Sequence, residues 1–220
     1  ANPNIYGTIL IGLGCEGCTP DKMKAEILKK TNKPLEVFVI QEEGGTTNTI
    51  NKAAIAARKM LQEASLVPKE EFPVSELFLG LECGGSDATS GLAANPVVGK
   101  VSDMIVDLGG SAVMSETTEF IGAEHILAKR AATPEIKKQI IGICQSLEEH
   151  LANVNQNLRT GQPTPGNKEG GISTIEEKSL GCIYKGGTRP IVEVLDYAHM
   201  PTKKGALIMD TPGFDVASVM

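Results

Sequence analysis

Carboxylates and thiols recur in this chain wherever an apolar run ends. Cys15-Glu16 follows "TILIGLG", Glu42-Glu43 follows "LEVFVIQ", Glu82-Cys83 follows "ELFLGL", and Ser115-Glu116 follows "GSAVM". Two of these ends add a glycine pair, Gly44-Gly45 and Gly84-Gly85, whose bare backbone lets amide N–H groups close on a ligand. Converging carboxylates and thiols need bound protons or a cation, because like charges a few ångströms apart raise one another's pKa. Two chemistries stay open: a divalent metal with O, S or N ligands, or carboxyl groups poised as acid and base. Cys83-Gly84-Gly85-Ser86-Asp87 carries the strongest signal, since polar groups and glycines after a buried strand cost stability unless something uses them.

Other groups admit a functional and a plain reading. Gly44, Gly45 and Thr46 form either a turn and helix cap or an anion site at a helix N-terminus. His125 is a metal ligand or a satisfied helix histidine, whereas His150 and His199 read as structural or exposed. Lys168, inside the Gly/Pro-rich "RTGQPTPGNKEGG", is a solvated cation or a clamp on a loop closing over an acidic cleft. Cys15-x-x-Cys18 stands before Thr19-Pro20, an N-cap and first-turn proline. It reads as a redox dithiol, a metal clip or an accident of spacing. Cys144 and Cys182 lie in apolar surroundings and read as core thiols.

The elements that must position these groups follow from periodicity. Aliphatic runs at 7–14, 34–40, 76–82 and 110–116 lack polar alternation, as strands of a parallel sheet covered on both faces do. Between and after them, "TPDKMKAEILKK", "TTNTINKAAIAARKMLQEA", "NPVVGKVSDMIVDLG" and "TTEFIGAEHILAKRAA" show helical spacing, with Thr19, Thr47 and Asn95 as N-caps. The expected fold class is α/β: a Rossmann-like layered domain with a mainly parallel sheet over 1–130. A helical and Gly-rich extension follows at 131–171, with one long helix over 133–158 and a structureless loop over 159–171, either linker or lid. Residues 172–220 read as a truncated further α/β segment, opened by a capping box from Ser173 to Glu176. A strand ending in Asp210-Thr211-Pro212-Gly213 so near the last residue suggests a fragment of a larger enzyme. In such sheets, ligands bind beyond the carboxyl ends of the strands.

Composition narrows the partners. The 220 residues carry a formal charge of −6 without a Lys/Arg cluster, which argues against a nucleic-acid groove or an acidic membrane surface. Five scattered cysteines make no even secreted framework and fit a reducing, cytoplasmic setting. No run reaches the roughly 18 to 20 apolar residues of a membrane span.

Taken together and in order, "GLGCE", "GLECGGSDATSGLAANPVVG", "SETTEFIGAEH", "PGNKEGGISTIEEKSLG" with "KGG", and "MDTPGFD" resemble the catalytic part of the altronate/galactarate dehydratase family, which includes the large subunit of sulfolactate sulfo-lyase. The resemblance implies a metal-dependent lyase, using Fe(II) or Mn(II), that dehydrates a sugar acid to a 2-keto-3-deoxy acid. It also implies a small β-rich N-terminal domain or subunit beyond this chain; a homo-oligomer is a further expectation. On this reading Cys83, Glu116 and His125 bind the metal, and Asp87 or Glu119 carries protons. Gly84, Gly85, Ser86, Gly44, Gly45, Thr46 and Asn167 meet the substrate, with Lys168 as a loop contact. The resemblance covers "GLGCE" and stops before Cys18, so Cys15 and Cys18 do not read as a unit. Carbon–sulfur cleavage of sulfolactate, a non-catalytic binding fragment and a thiol redox protein are the competing readings.

Overall fold

Each aliphatic run forms a strand shorter than the run itself. The computed structural model describes Asn2 and residues 4–211, and the chain divides into two units, residues 1–71 and 72–220. In the first unit β1 (Thr8–Gly12) and β2 (Leu35–Val39) pair in parallel, with Thr8 opposite Leu35 and Gly12 opposite Val39. The crossover is α1 (Pro20–Leu28), capped by the Thr19 hydroxyl, which accepts from the Lys22 N–H. The second helix, α2 (Thr46–Ser65), starts one residue before the expected cap, so Thr47 lies inside its first turn and Gly45 takes the cap position at φ 105°.

The second unit holds a four-stranded parallel sheet. Its strands are β3 (Phe78–Leu81), β4 (Ser111–Met114), β5 (Ile191–Leu195) and β6 (Ala206–Met209), in the order β3-β4-β6-β5. Ala112 of β4 faces Ala206 of β6. The expected domain over 1–130 is therefore divided between two units, and residues after 172 complete the sheet of β3 and β4 instead of opening a separate segment. Pro212 and Gly213 lie outside the described residues.

Several expected helices change form. A π-turn over 90–94 runs into α3 (Asn95–Asp107), so Asn95 is not a cap; its side chain donates to the Gly181 carbonyl at 3.0 Å. The stretch "TTEFIGAEHILAKRAA" is not one helix but α4 (Glu124–Leu127) between 3-10 turns at 117–119 and 128–130. Gly122 breaks it: its φ is 92°, and a Cβ there would stand 2.8 Å from the Glu176 side chain. The apolar spacing still served burial, since Phe120, Ile121 and Leu127 are fully buried. The long helix forms as α5 (Pro134–Asn153), capped by Thr133. The loop expected over 159–171 contains regular turns, α6 (Leu158–Gly161) and α7 (Pro165–Glu169), because Thr164 and Asn167 close a capping box. In α8 (Ile175–Cys182) the cap is Thr174, one residue later than expected.

Apolar residues of β4, β5, β6 and α5 meet in the core, with Ile140, Ile191 and Ile208 fully buried. Against the sheet, α3 runs so close to the turn after α8 that a Cβ on Gly99 would lie 2.0 Å from the Tyr184 carbonyl oxygen. Gly99→Ala should destabilise the protein by about 1–3 kcal/mol through overpacking. Gly142→Ala in α5, where nothing stands within 4 Å of a new Cβ, should stabilise it by about 0.5–1 kcal/mol. Calorimetry of both variants checks this pair of opposite signs.

Candidate metal centre

In a parallel sheet every carboxyl end opens on one edge, and here three adjacent strand ends contribute. Glu82-Cys83 follow β3, Ser115-Glu116 follow β4, and Asp210-Thr211 follow β6. Glu116 sits at φ 63°, ψ 78°, a left-handed conformation that a non-glycine residue holds only when its surroundings impose it. Two bonds do so: its N–H donates to the Thr211 hydroxyl at 2.6 Å, and its carboxylate accepts from the Cys83 N–H at 2.7 Å. The turn over 117–119 then brings Glu119 alongside. One donor atom each of Cys83, Glu116 and Glu119 lies within 4.8 Å of the others.

A buried lysine lies against these acids. Lys185, on the 3-10 turn Ile183–Gly186, donates to Glu119 Oε2, and its Nζ is 3.8 Å from Glu116 Oε2. The Lys185 and Glu119 side chains are only 4% and 1% exposed, so neither charge is stable there without the other. Burial works to raise the Glu119 pKa, but the Lys185 ammonium overcomes it and holds Glu119 below the usual range. Burial likewise works to lower Lys185, and Glu119 reverses it. Burial, then Glu119, then a hydrogen bond with Glu82 push Glu116 up to about 8. The Cys83 thiol is raised by burial and by Glu119.

The segment carrying Lys185 is fixed from outside. Ser102 of α3 donates to the Lys185 carbonyl at 2.8 Å, and Arg130 donates to the Gly186 carbonyl at 2.7 Å. Asp103 accepts from the Thr188 N–H at 2.7 Å. A side chain at Gly186 would collide with Met114 of β4, which explains the glycine after Lys185.

Of the residues singled out from sequence, Cys83, Glu116 and Glu119 come together. Ser86 borders them, with its hydroxyl 3.6 Å from Cys83 Sγ, and the Gly85 N–H donates to that sulfur; Gly84 is exposed. Asn167 is buried and donates to the Ser86 carbonyl at 2.8 Å, so it fixes this loop. Asp87 Oδ1 accepts from the N–H and hydroxyl groups of Thr89 and Ser90, Thr89 foremost, which hold its pKa low. His125 is exposed on α4 and lies outside the cluster, whose third member is Glu119. Lys168 is exposed on α7. Gly44, Gly45 and Thr46 belong to the first unit, not the one holding the cluster. There Cys15 and Cys18 are exposed free thiols, and Glu16 caps its own turn, accepting from the Leu13 and Gly14 N–H groups.

Glu82, Thr211 and Cys182, though noted as strand-end or core residues, were given no role in the site, and Lys178 and Lys185 were not picked out from the sequence. Their nearest signals were "EEKSLG", which contains Lys178, and "KGG", which opens on Lys185. Lys178 Nζ is 3.9 Å from Glu119 Oε1, which has no hydrogen-bond partner among the described residues. Cys182, read as a core thiol, is buried but stands 3.9 Å from the Ser86 hydroxyl. A thiol and two carboxylates suit a divalent first-row metal, and the Glu119 oxygen without a hydrogen-bond partner is a donor available to it.

Fold and site together define an α/β protein with a buried thiol–carboxylate centre at the carboxyl edge of a parallel sheet. The chain belongs to the D-galactarate/altronate dehydratase family. The family profile described as "D-galactarate/Altronate dehydratase, C-terminal" matches residues 74–220, and "D-galactarate dehydratase/Altronate hydrolase, second domain" matches residues 1–65. Altronate dehydratase of Bacillus subtilis is 40% identical over 98% of this chain and 42% of its own length. Galactarate dehydratase (L-threo-forming) of Escherichia coli is 37% identical over 97% and 42%. The (2R)-sulfolactate sulfo-lyase subunit beta of Chromohalobacter salexigens is 40% identical over 96% and 54%. The chain thus spans about half the length of the curated relatives it matches. Among the described residues no helix is long and apolar enough to cross a membrane.

Two measurements check this centre. Lys185→Met leaves the buried Glu119 with only the more distant Lys178 ammonium, at 3.9 Å, and should cost about 3–5 kcal/mol in chemical denaturation. At pH 8 iodoacetamide should label Cys15 and Cys18 in the native protein. Cys144, which burial pushes up to about 12, and Cys182, raised by burial and Glu119, should react only after unfolding, as read by mass spectrometry.

Proposed function

We propose that the complete protein is a metal-dependent hydro-lyase that removes water from a sugar acid such as altronate or galactarate, giving a 2-keto-3-deoxy acid. The observation that carries this reading is the convergence of Cys83, Glu116 and Glu119 donors within 4.8 Å in a chain of this family. Cys83, Glu116 and Glu119 would hold Fe(II) or Mn(II), with one soft thiolate and two hard carboxylates around a first-row divalent ion. Bound there, the ion would supply Lewis-acid stabilisation of the enediolate formed when the C2 proton leaves.

The chain's own residues do the rest. The C2 proton passes to a base, its electron pair forms the C2–C3 double bond, and hydroxide leaves C3 with a proton from a general acid. The resulting enol tautomerises to the keto acid. Glu82 is the carboxylate best suited to carry a proton: its Oε1 is buried without a partner among the described residues, and Ser115 orients Oε2 at 2.7 Å. Lys185 offsets the negative charge of Glu119 and Glu116, which keeps the acids together before a cation arrives. The share of each relative left unmatched supports the expectation of a small β-rich N-terminal domain or subunit, and we read the whole as a cytoplasmic enzyme, with homo-oligomers as a further expectation.

Carbon–sulfur cleavage is a second reading, favoured by the 40% identity to a sulfolactate sulfo-lyase subunit. It uses the same C2 deprotonation, with sulfite leaving C3 in place of hydroxide. The full-length protein, loaded anaerobically with Fe(II) or Mn(II), should release a 2-keto acid from altronate or galactarate. Sulfite from (2R)-sulfolactate would instead establish the second reading, and no product from any of the three would refute both. Cys83→Ala should lower bound metal and turnover together, by roughly 10- to 100-fold or more.

A further inference from the structure

Beside the donor cluster, the π-turn over 90–94 and α8 enclose a cleft of about 190 Å³ whose lining includes Ser86, Asp87, Asn95, Glu177, Lys178 and Cys182. That volume falls below the roughly 300–1,000 Å³ of pockets for drug-sized ligands, which limits the cleft to a small molecule. Glycines allow its walls to meet: a Cβ on Gly91 would lie 2.8 Å from Gly181 Cα. We propose that this cleft receives the carboxylate end of a small 2-hydroxy acid, and that Lys178 is its counter-charge.

The lining offers one cation against two acids. Both acids are hydrogen-bonded within their own segments, Asp87 by Thr89 and Ser90, and Glu177 by the Ser173 N–H and hydroxyl, so the recognition of an anion falls to the lysine. Lys178 carries the one Lys or Arg cation of the lining. Its side chain is 12% exposed, and its ammonium donates to Gln162 Oε1 at 3.3 Å with Glu119 Oε1 farther off, at 3.9 Å. An ammonium has three donors, so these long contacts leave capacity for a carboxylate. Lys185 is committed to Glu119, and neither it nor Lys168 lines the cleft.

Two residues of the lining border the cluster: the Ser86 hydroxyl is 3.6 Å from Cys83 Sγ, and Lys178 Nζ is 3.9 Å from Glu119 Oε1. A carboxylate on Lys178 would thus lie on the side of the cleft nearest the donors, the side an elimination at C2 requires. This assignment rests on the proposed lyase reading for the identity of the acid, but not for the place of Lys178 in the lining.

The test uses the full-length, Mn(II)-loaded protein with Lys178→Met and Lys178→Arg. Manganese content is measured alongside calorimetric binding of galactarate, altronate, (2R)-sulfolactate and the uncharged polyol galactitol. At least one acid should bind the wild type and galactitol should not. Lys178→Met should weaken acid binding by about 10- to 100-fold with manganese content unchanged, and Lys178→Arg should restore most of it. Equal acid binding by Lys178→Met, parallel loss of manganese in that variant, or no acid binding by the wild type would each overturn the proposal. Lys178-dependent binding without turnover would uphold the cleft and refute the lyase reading; turnover insensitive to Lys178→Met would do the reverse.

Discussion

The ion pair between Lys185 and Glu119 is the interaction on which the rest of the second unit depends. Three acidic groups, Cys83, Glu116 and Glu119, converge within 4.8 Å in a largely buried place. Like charges at such spacing repel. The site relieves this in two ways: Cys83 and Glu116 are pushed toward their protonated forms, and the charge of Glu119 is met by the ammonium of Lys185. The clamps around that lysine follow from the same need: Ser102, Arg130 and Asp103 hold its backbone so that the ammonium cannot withdraw to water.

The left-handed Glu116 is the complementary feature. A strand that continued in extended geometry would carry its next side chains to alternate faces; turning sharply at Glu116 keeps both Glu116 and Glu119 at the strand end. Thr211, after β6, receives the Glu116 N–H. The turn is therefore stable only when β6 lies beside β4, and the centre cannot assemble from β3 and β4 alone. This dependence ties the acid cluster to β6, the last strand among the described residues.

The first unit makes a different use of similar sequence. "GLGCEG" and "GLECGG" both end an apolar strand, yet Glu16 folds back on the N–H groups of Leu13 and Gly14. Glu82 of "GLECGG" instead accepts from the Ser115 hydroxyl at the end of the neighbouring strand, and the adjoining Cys83 N–H donates to Glu116. Among the described residues β1 and β3 each pair with one strand, but the partner of β3 is β4, which is itself flanked on both sides. A strand end flanked on both sides is where side chains from separate segments can converge.

Much of this was legible in the sequence. Aliphatic runs without alternation gave parallel strands, Thr19-Pro20 and Thr133-Pro134 gave helix starts, and polar residues crowded after "LFLGL" and "SAVM" marked Cys83 and Glu116. These are local signals, carried by spacing and by residue chemistry within a turn or two. Tertiary structure decided the rest. Whether Glu119 or His125 would join Cys83 depended on where Gly122 broke the expected helix. Lys178 and Lys185 acquired their meaning only when α8 and the turn after it folded back onto Glu116 and Glu119, 59 to 69 positions earlier in the chain. An ammonium is solvated on most surfaces, and its role is set by the carboxylates that the fold brings against it, a long-range fact that no window of sequence contains.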